Sequence, residues 1–264
     1  MASLKRVWQA GRMFRVFLAF LLALPAAQAA ETVRVAVAAN LVQASAALNA
    51  AFRAAEPGIQ LEVVFGSSGN LVAQITQGAP YDVFLSADLD YPRALIAAGQ
   101  AEAETLTPFA TGRLVLWTTR PGLAVPDLAT ALRDPALHTL AIANPATAPY
   151  GRAARETLEK LGLWAVLQPR LVIGENIGQT AQFVASGNAD AGLVALSFVL
   201  SPQLADRGRW VEVPAADHAP LTQGAVLTRH GADHPAARRY LAFLRSAAAR
   251  KVLERFGYGV PASP

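Results

Sequence analysis

Four short stretches carry residue types suited to holding an anion: Ala38-Ala39-Asn40, Gly66-Ser67-Ser68-Gly69, the run Pro145 to Gly151 (PATAPYG), and Glu175-Asn176-Ile177-Gly178. Each sets small or neutral polar residues just ahead of a helical pattern. The first N–H groups of a helix have no intrahelical acceptor, and the helix dipole is positive at that end, so such a turn favours a negatively charged guest. Taken singly, each has a plainer explanation. Asn40 and Ser68 read first as N-caps, Tyr150 as a cleft-wall aromatic, Ile177 as packing, and Gly66 and Gly69 as turn geometry. The inference rests on the set and its order along the chain.

The donors are neutral, which narrows the guest. No Asp or Glu lies in the first two turns, so nothing there accepts a proton from a protonated phosphate, whereas a fully deprotonated dianion needs donors only. Hydrogen bonds to an ionised acceptor are strong enough to hold such a dianion without a Lys or Arg in contact. Glu175 adjoins the fourth turn and reads as a solvated loop carboxylate. Other chemistries find little support. The chain has no cysteine, and its four histidines, His138, His218, His230 and His234, are scattered, which leaves little for a transition-metal site. A hydrolase using Ser67 or Ser68 as nucleophile is the rival from another class. It needs a base and a sharp elbow, yet the G-x-S-x-G spacing is absent and every histidine lies outside the four turns.

Strands and helices alternate around these turns. Thr32 to Ala38 reads as a buried strand, and Leu41 to Ala55 carries an apolar stripe at Leu41, Ala44, Leu48 and Phe52 that closes at Pro57-Gly58. Strand 59–65, helix 71–77, strand 82–86 and helix 91–98 follow. From Arg113 the pattern restarts with strand 114–118, a short helix near 128–132, strand 139–143, helix 151–161, strand 170–173, helix 179–185 and strand 191–195. A strand at 221–228 and helices at 236–244 and 248–256 come last. This alternation predicts an α/β fold with mostly parallel sheets flanked by helices. The closing strand and two helices are too small for a domain, so they are expected to complete the first sheet. Two lobes then form, 30–110 with 222–264 and 111–221, joined by strands crossing near Thr111 and Leu221, and all four turns lie at strand carboxyl ends facing the cleft.

The first 29 residues read differently. Lys5, Arg6, Arg12 and Arg15 precede the apolar run Val16 to Leu24, then Pro25 and Ala27-Gln28-Ala29, which is the order of a secretory signal peptide with cleavage near Ala29. The apolar run is well short of the roughly 20 residues that span a bilayer. The segment also holds four of the 23 basic residues and none of the 19 acidic ones, so without it 19 basic residues face 19 acidic ones. A near-neutral chain gives no support for binding nucleic acid.

The strings VAVAANLVQA, VFGSSGNLVAQITQGAPYDVFLSAD, IANPATAPYGRAARETLEKLG and LERFGYG resemble the periplasmic molybdate-binding proteins of ABC transporters over nearly the whole chain after the leader. The resemblance implies a two-lobed periplasmic-binding-protein (venus-flytrap) fold, no catalysis, no cofactor, and molybdate as the ligand. Tungstate or sulfate is the alternative guest of the same scaffold. It further implies a periplasmic location, an ABC permease in the inner membrane as partner, and a monomer. Carried over by position, the donors fall on Asn40, Ser68, Tyr150 and the backbone N–H of Ile177. Where some relatives have a ligand Tyr after the last helix, this chain has Ala195.

Overall fold

The computed structural model describes residues 31–259; the expected leader 1–29 and its cleavage site lie outside them. The first strand, β1 (Glu31–Ala38), ends in a single 3-10 turn (Ala39–Leu41) that runs straight into helix α1 (Val42–Ala55). Helix α1 buries Ala44, Leu48 and Phe52, spaced four residues apart and so on one face. Next come β2 (Ile59–Gly66), α2 (Ser68–Thr76), β3 (Val83–Ser86), α3 (Asp90–Ala97) and β4 (Thr107–Thr111). The second half holds β5 (Leu114–Thr118), α4 (Leu128–Arg133), β6 (Leu140–Ala143), α5 (Pro149–Lys160), α6 (Trp164–Leu167), β7 (Leu171–Gly174), α7 (Ile177–Ala185), β8 (Ala191–Ala195), α8 (Leu196–Val199) and β9 (Arg209–Glu212). The chain then returns through β10 (Thr222–Leu227), α9 (Pro235–Phe243) and α10 (Ala247–Arg255).

Two five-stranded sheets result, in the orders β2-β1-β3-β10-β4 and β7-β6-β8-β5-β9. In each, the fourth strand runs against both its neighbours and the other four share one direction. The arrangement is therefore mostly parallel, and the single reversed strand in each sheet, β10 or β5, is the one the chain enters on crossing from the other half. Strands β3, β5, β6 and β8 are buried at every position. This is why they read as short continuous apolar runs rather than alternating ones. Helix α9 packs against α1 through Tyr240 and Phe243, whose rings lie 5.0 and 5.2 Å from that of Phe52.

The chain passes from the first sheet to the second at Gly112-Arg113 and returns through residues 213–221. The two crossings are tied together where Gly112 N–H donates to Leu221 O at 2.8 Å. Two strands escape the sequence pattern. In β4, Pro108 reads as a breaker, but it pairs with Gly224 at a register shift in β10, a bulge that tolerates a residue with no N–H. In β9, Arg209 and Trp210 are exposed, as befits a charged sheet edge.

Candidate functional site

The four turns meet in one small, tight cavity, with Asn40, Ser68, Tyr150 and Ile177 all in its wall. Two turns belong to the first sheet and two to the second. The rest of the wall is Ala, Gly, Pro, Ser67 and Asn176, so no charged side chain lines it. Among the described residues no group of His, Cys, Asp and Glu is arranged to hold a metal ion, and no histidine lines this cavity.

Local structure decides which donor each turn presents. At the head of α7, Asn176 is a true N-cap: its Oδ1 accepts from Gly178 N at 2.9 Å and Gln179 N at 3.1 Å. The next N–H, on Thr180, bonds Asn176 O at 3.1 Å. Only the Ile177 N–H of that turn is left over, and Ile177 sits in the cavity wall. At the head of α2 the N-cap is Ser67, whose side chain makes no capping bond. Ser68 Oγ accepts from Ala87 N at 3.1 Å, which occupies a lone pair and leaves its hydroxyl proton to be given. The Ser68 N–H, at the helix mouth, has no acceptor within its own helix.

Asn40 is fully buried, and its amide is oriented by a chain of bonds reaching far along the sequence. Gln223 Nε2 donates to Ala87 O at 3.2 Å and to Leu221 O at 2.8 Å. Its Oε1 must therefore face Asn40 and accept from Nδ2, at 2.8 Å. Tyr258 O–H donates to Asn40 O at 2.8 Å and so accepts the other amide hydrogen, at 2.9 Å. Both Nδ2 hydrogens are thus engaged, and Oδ1 is buried without a partner among the described residues. Neither Gln223 nor Tyr258 stood out in the sequence, because they lie 183 and 218 residues from Asn40 and carry no motif.

Tyr150 comes from the second residue of α5. Its hydroxyl lies against the crossing, where a Cβ on Gly112 would stand 2.0 Å from the phenol oxygen, so only glycine leaves room. Burial pushes the Tyr150 phenol well above its usual range, and the neighbouring Tyr258 adds to this. Burial likewise raises Tyr258. Both phenols therefore stay protonated at neutral pH, and Tyr150 is a neutral donor. Ala195 is fully buried at the end of β8 and is not part of the cavity wall.

The halves are in contact around the cavity. Gly69 N–H, at the head of α2, donates to Thr147 O at 2.8 Å. Tyr91 O–H donates to Ala146 O at 3.2 Å, and Ser197 O–H to Asn40 O at 2.8 Å. The Arg152 guanidinium pairs with Asp88, whose side chain is only 7% exposed. A Cβ on Gly69 would lie 3.0 Å from Thr147 O and 2.7 Å from the Tyr91 oxygen, so the two backbones meet here because residue 69 has no side chain.

Residues 33–259 match the family of bacterial extracellular solute-binding proteins. The chain is 41% identical over 237 residues to the molybdate-binding protein ModA of Rhodobacter capsulatus, covering 90% of this chain and 91% of that one. Among solved structures, the periplasmic molybdate-binding protein of Azotobacter vinelandii superposes with a TM-score of 0.82 at 34% identity, covering 87% of this chain and 99% of that one. The substrate-binding domain of a molybdenum ABC transporter from Clostridium difficile gives 0.67 at 27% identity, over 87% and 99%.

Proposed function

The chain belongs to the family of bacterial extracellular solute-binding proteins, and from that premise we propose that it captures molybdate between its two lobes and delivers it to an ABC importer. Proteins of this family carry solutes and catalyse nothing. The Rhodobacter relative named above is a molybdate-binding protein and the Azotobacter structure is that of a periplasmic one, and the location and the transporter partnership follow them. The observation that carries the reading is a cavity walled from both halves by neutral donors and no charged side chain. Such a wall suits a guest that only accepts hydrogen bonds.

The donors in this reading are the Ser68 hydroxyl and N–H, the Tyr150 hydroxyl, the Ile177 N–H and the N–H groups that open the Ala39–Leu41 turn. Asn40 contributes its own N–H, while its side chain, held by Gln223 and Tyr258, fixes the turn. A guest touching both lobes binds the closed arrangement better than a separated one, and that difference shifts the population toward closure. The closed form is then the one the permease recognises. The chain works as a monomer, and tungstate, of the same charge and shape, competes for the site.

A thermal-shift titration with molybdate, tungstate, sulfate and phosphate tests this. At a free anion concentration a hundred-fold above Kd, stabilisation reaches about 2.7 kcal/mol, a rise of several degrees. Molybdate and tungstate are expected to give it and phosphate none. A shift with sulfate alone, or with no anion, would overturn the assignment.

A further inference from the structure

Ser67 has no assigned work. It is the N-cap residue of α2, the position at which a serine normally accepts a backbone N–H two or three residues on. Its backbone is extended as an N-cap should be, at φ −70° and ψ 148°, but the side chain makes no such bond. The serine, aspartate and asparagine N-caps elsewhere in the chain behave otherwise: Ser246, Asp127 and Asn176 each accept from their own helices. Ser67 is 3% exposed, and its Oγ is buried with no hydrogen-bond partner among the described residues. A buried hydroxyl left in that condition is costly, and native structures rarely retain one without a reason. Ser67 lies in the cavity wall, beside Ser68 and with Ile177.

We propose that Ser67 is a further ligand-binding residue, its hydroxyl donating to an oxygen of the same tetrahedral dianion that Ser68 holds. This rests on the reading of the cavity as an oxyanion site and adds a side-chain donor to the neutral set. The chemistry required of the guest is an oxygen with a free lone pair and a negative charge, since the Ser67 proton has no competing acceptor. It follows that the hydroxyl is idle until the anion arrives, and that leaving the cap unmade at α2 keeps it available.

The test compares the full-length mature protein with Ser67→Ala, Ser67→Cys and Ser68→Ala, using isothermal titration with sodium molybdate together with melting in the absence of anion. Loss of one donor to a charged acceptor is expected to weaken molybdate binding by about ten-fold or more in Ser67→Ala. Ser67→Cys should follow it closely, because a thiol of similar size is a weak donor. Melting without anion should be unchanged or slightly higher in both, since an unsatisfied buried hydroxyl has been removed. Parent-like affinity in either Ser67 variant, with Ser68→Ala impaired, overturns the proposal while the molybdate reading stands. Lower melting of the anion-free protein with unchanged affinity also overturns it, by making Ser67 a structural residue. Failure of the parent protein to bind molybdate removes the underlying reading itself.

Discussion

Replacing Arg152 by methionine isolates the contact that most clearly distinguishes a closed from a separated arrangement of the lobes. The Asp88 carboxylate, 7% exposed, accepts from Ser86 Oγ and Tyr91 N, both at 3.1 Å, and pairs with the Arg152 guanidinium from the other half. Methionine keeps most of the aliphatic stem and removes only the cation. Removing one member of a fully buried pair costs about 3–5 kcal/mol, whereas an exposed pair is worth about 0–1 kcal/mol. Arg152 is 38% exposed and Asp88 keeps two other donors, so the cost to the closed form falls near 1–2 kcal/mol after allowance for solvent screening. With the lobes apart, Asp88 is hydrated and the substitution costs almost nothing. The whole penalty therefore appears in the closing equilibrium, and molybdate affinity should drop about five- to thirty-fold. Titration calorimetry measures the affinity, and solution scattering with saturating and absent molybdate measures closure. Parent-like affinity and an unchanged radius of gyration would refute the role given to the pair.

Other substitutions probe separate links. Ser68→Ala removes a donor whose lone pair is already occupied by Ala87 N–H and should cost about 1–3 kcal/mol of binding energy, read by calorimetry. Gly69→Ala puts a methyl 3.0 Å from Thr147 O. It should lower molybdate affinity while leaving the anion-free melting temperature nearly unchanged, and a large melting loss would place Gly69 in the fold rather than in closure. Gly112→Ala should push the Tyr150 hydroxyl from its place, 2.0 Å from the added carbon, and lower affinity and stability together. At Asp190 burial works to raise the carboxyl, but bonds from the Thr139 and His138 N–H groups and from Arg120 outweigh it and hold the group below 3.8. A depressed carboxylate contributes stability that is complete above its unfolded value and fades as pH falls through the folded one. The stability gap between the parent and Asp190→Asn should therefore be widest near neutral pH and shrink below about pH 4, as measured by urea denaturation at both ends.

The elements that hold the site were largely legible because central strands and amphipathic helices announce themselves. Strands 114–118 and 191–195 come out at their observed bounds. The helix starts were less legible. Helix α2 begins at Ser68, not Leu71, and α7 at Ile177, not Gln179, because a glycine in the first turn hides the onset of the period. Those hidden first turns are the very ones that line the cavity. The four turns could be picked out since each sits between a strand and a helix, where local sequence dictates geometry. The partners that fix Asn40 could not, because Gln223 reaches it through folding of the return strand and Tyr258 through docking of the last helix. No local pattern records a contact 183 or 218 residues long.

That last contact bears on how the protein is made. Asn40 and Tyr258 stand 218 residues apart, and Gly259, next to Tyr258, also pairs with Thr111 beside the crossing. The Asn40 turn is thus finished only when Gln223 and Tyr258, 183 and 218 residues downstream, have been made and have docked. Contacts of such long sequence separation form late and slowly. A growing polypeptide that has not yet reached Tyr258 accordingly lacks the bonds that complete the Asn40 turn.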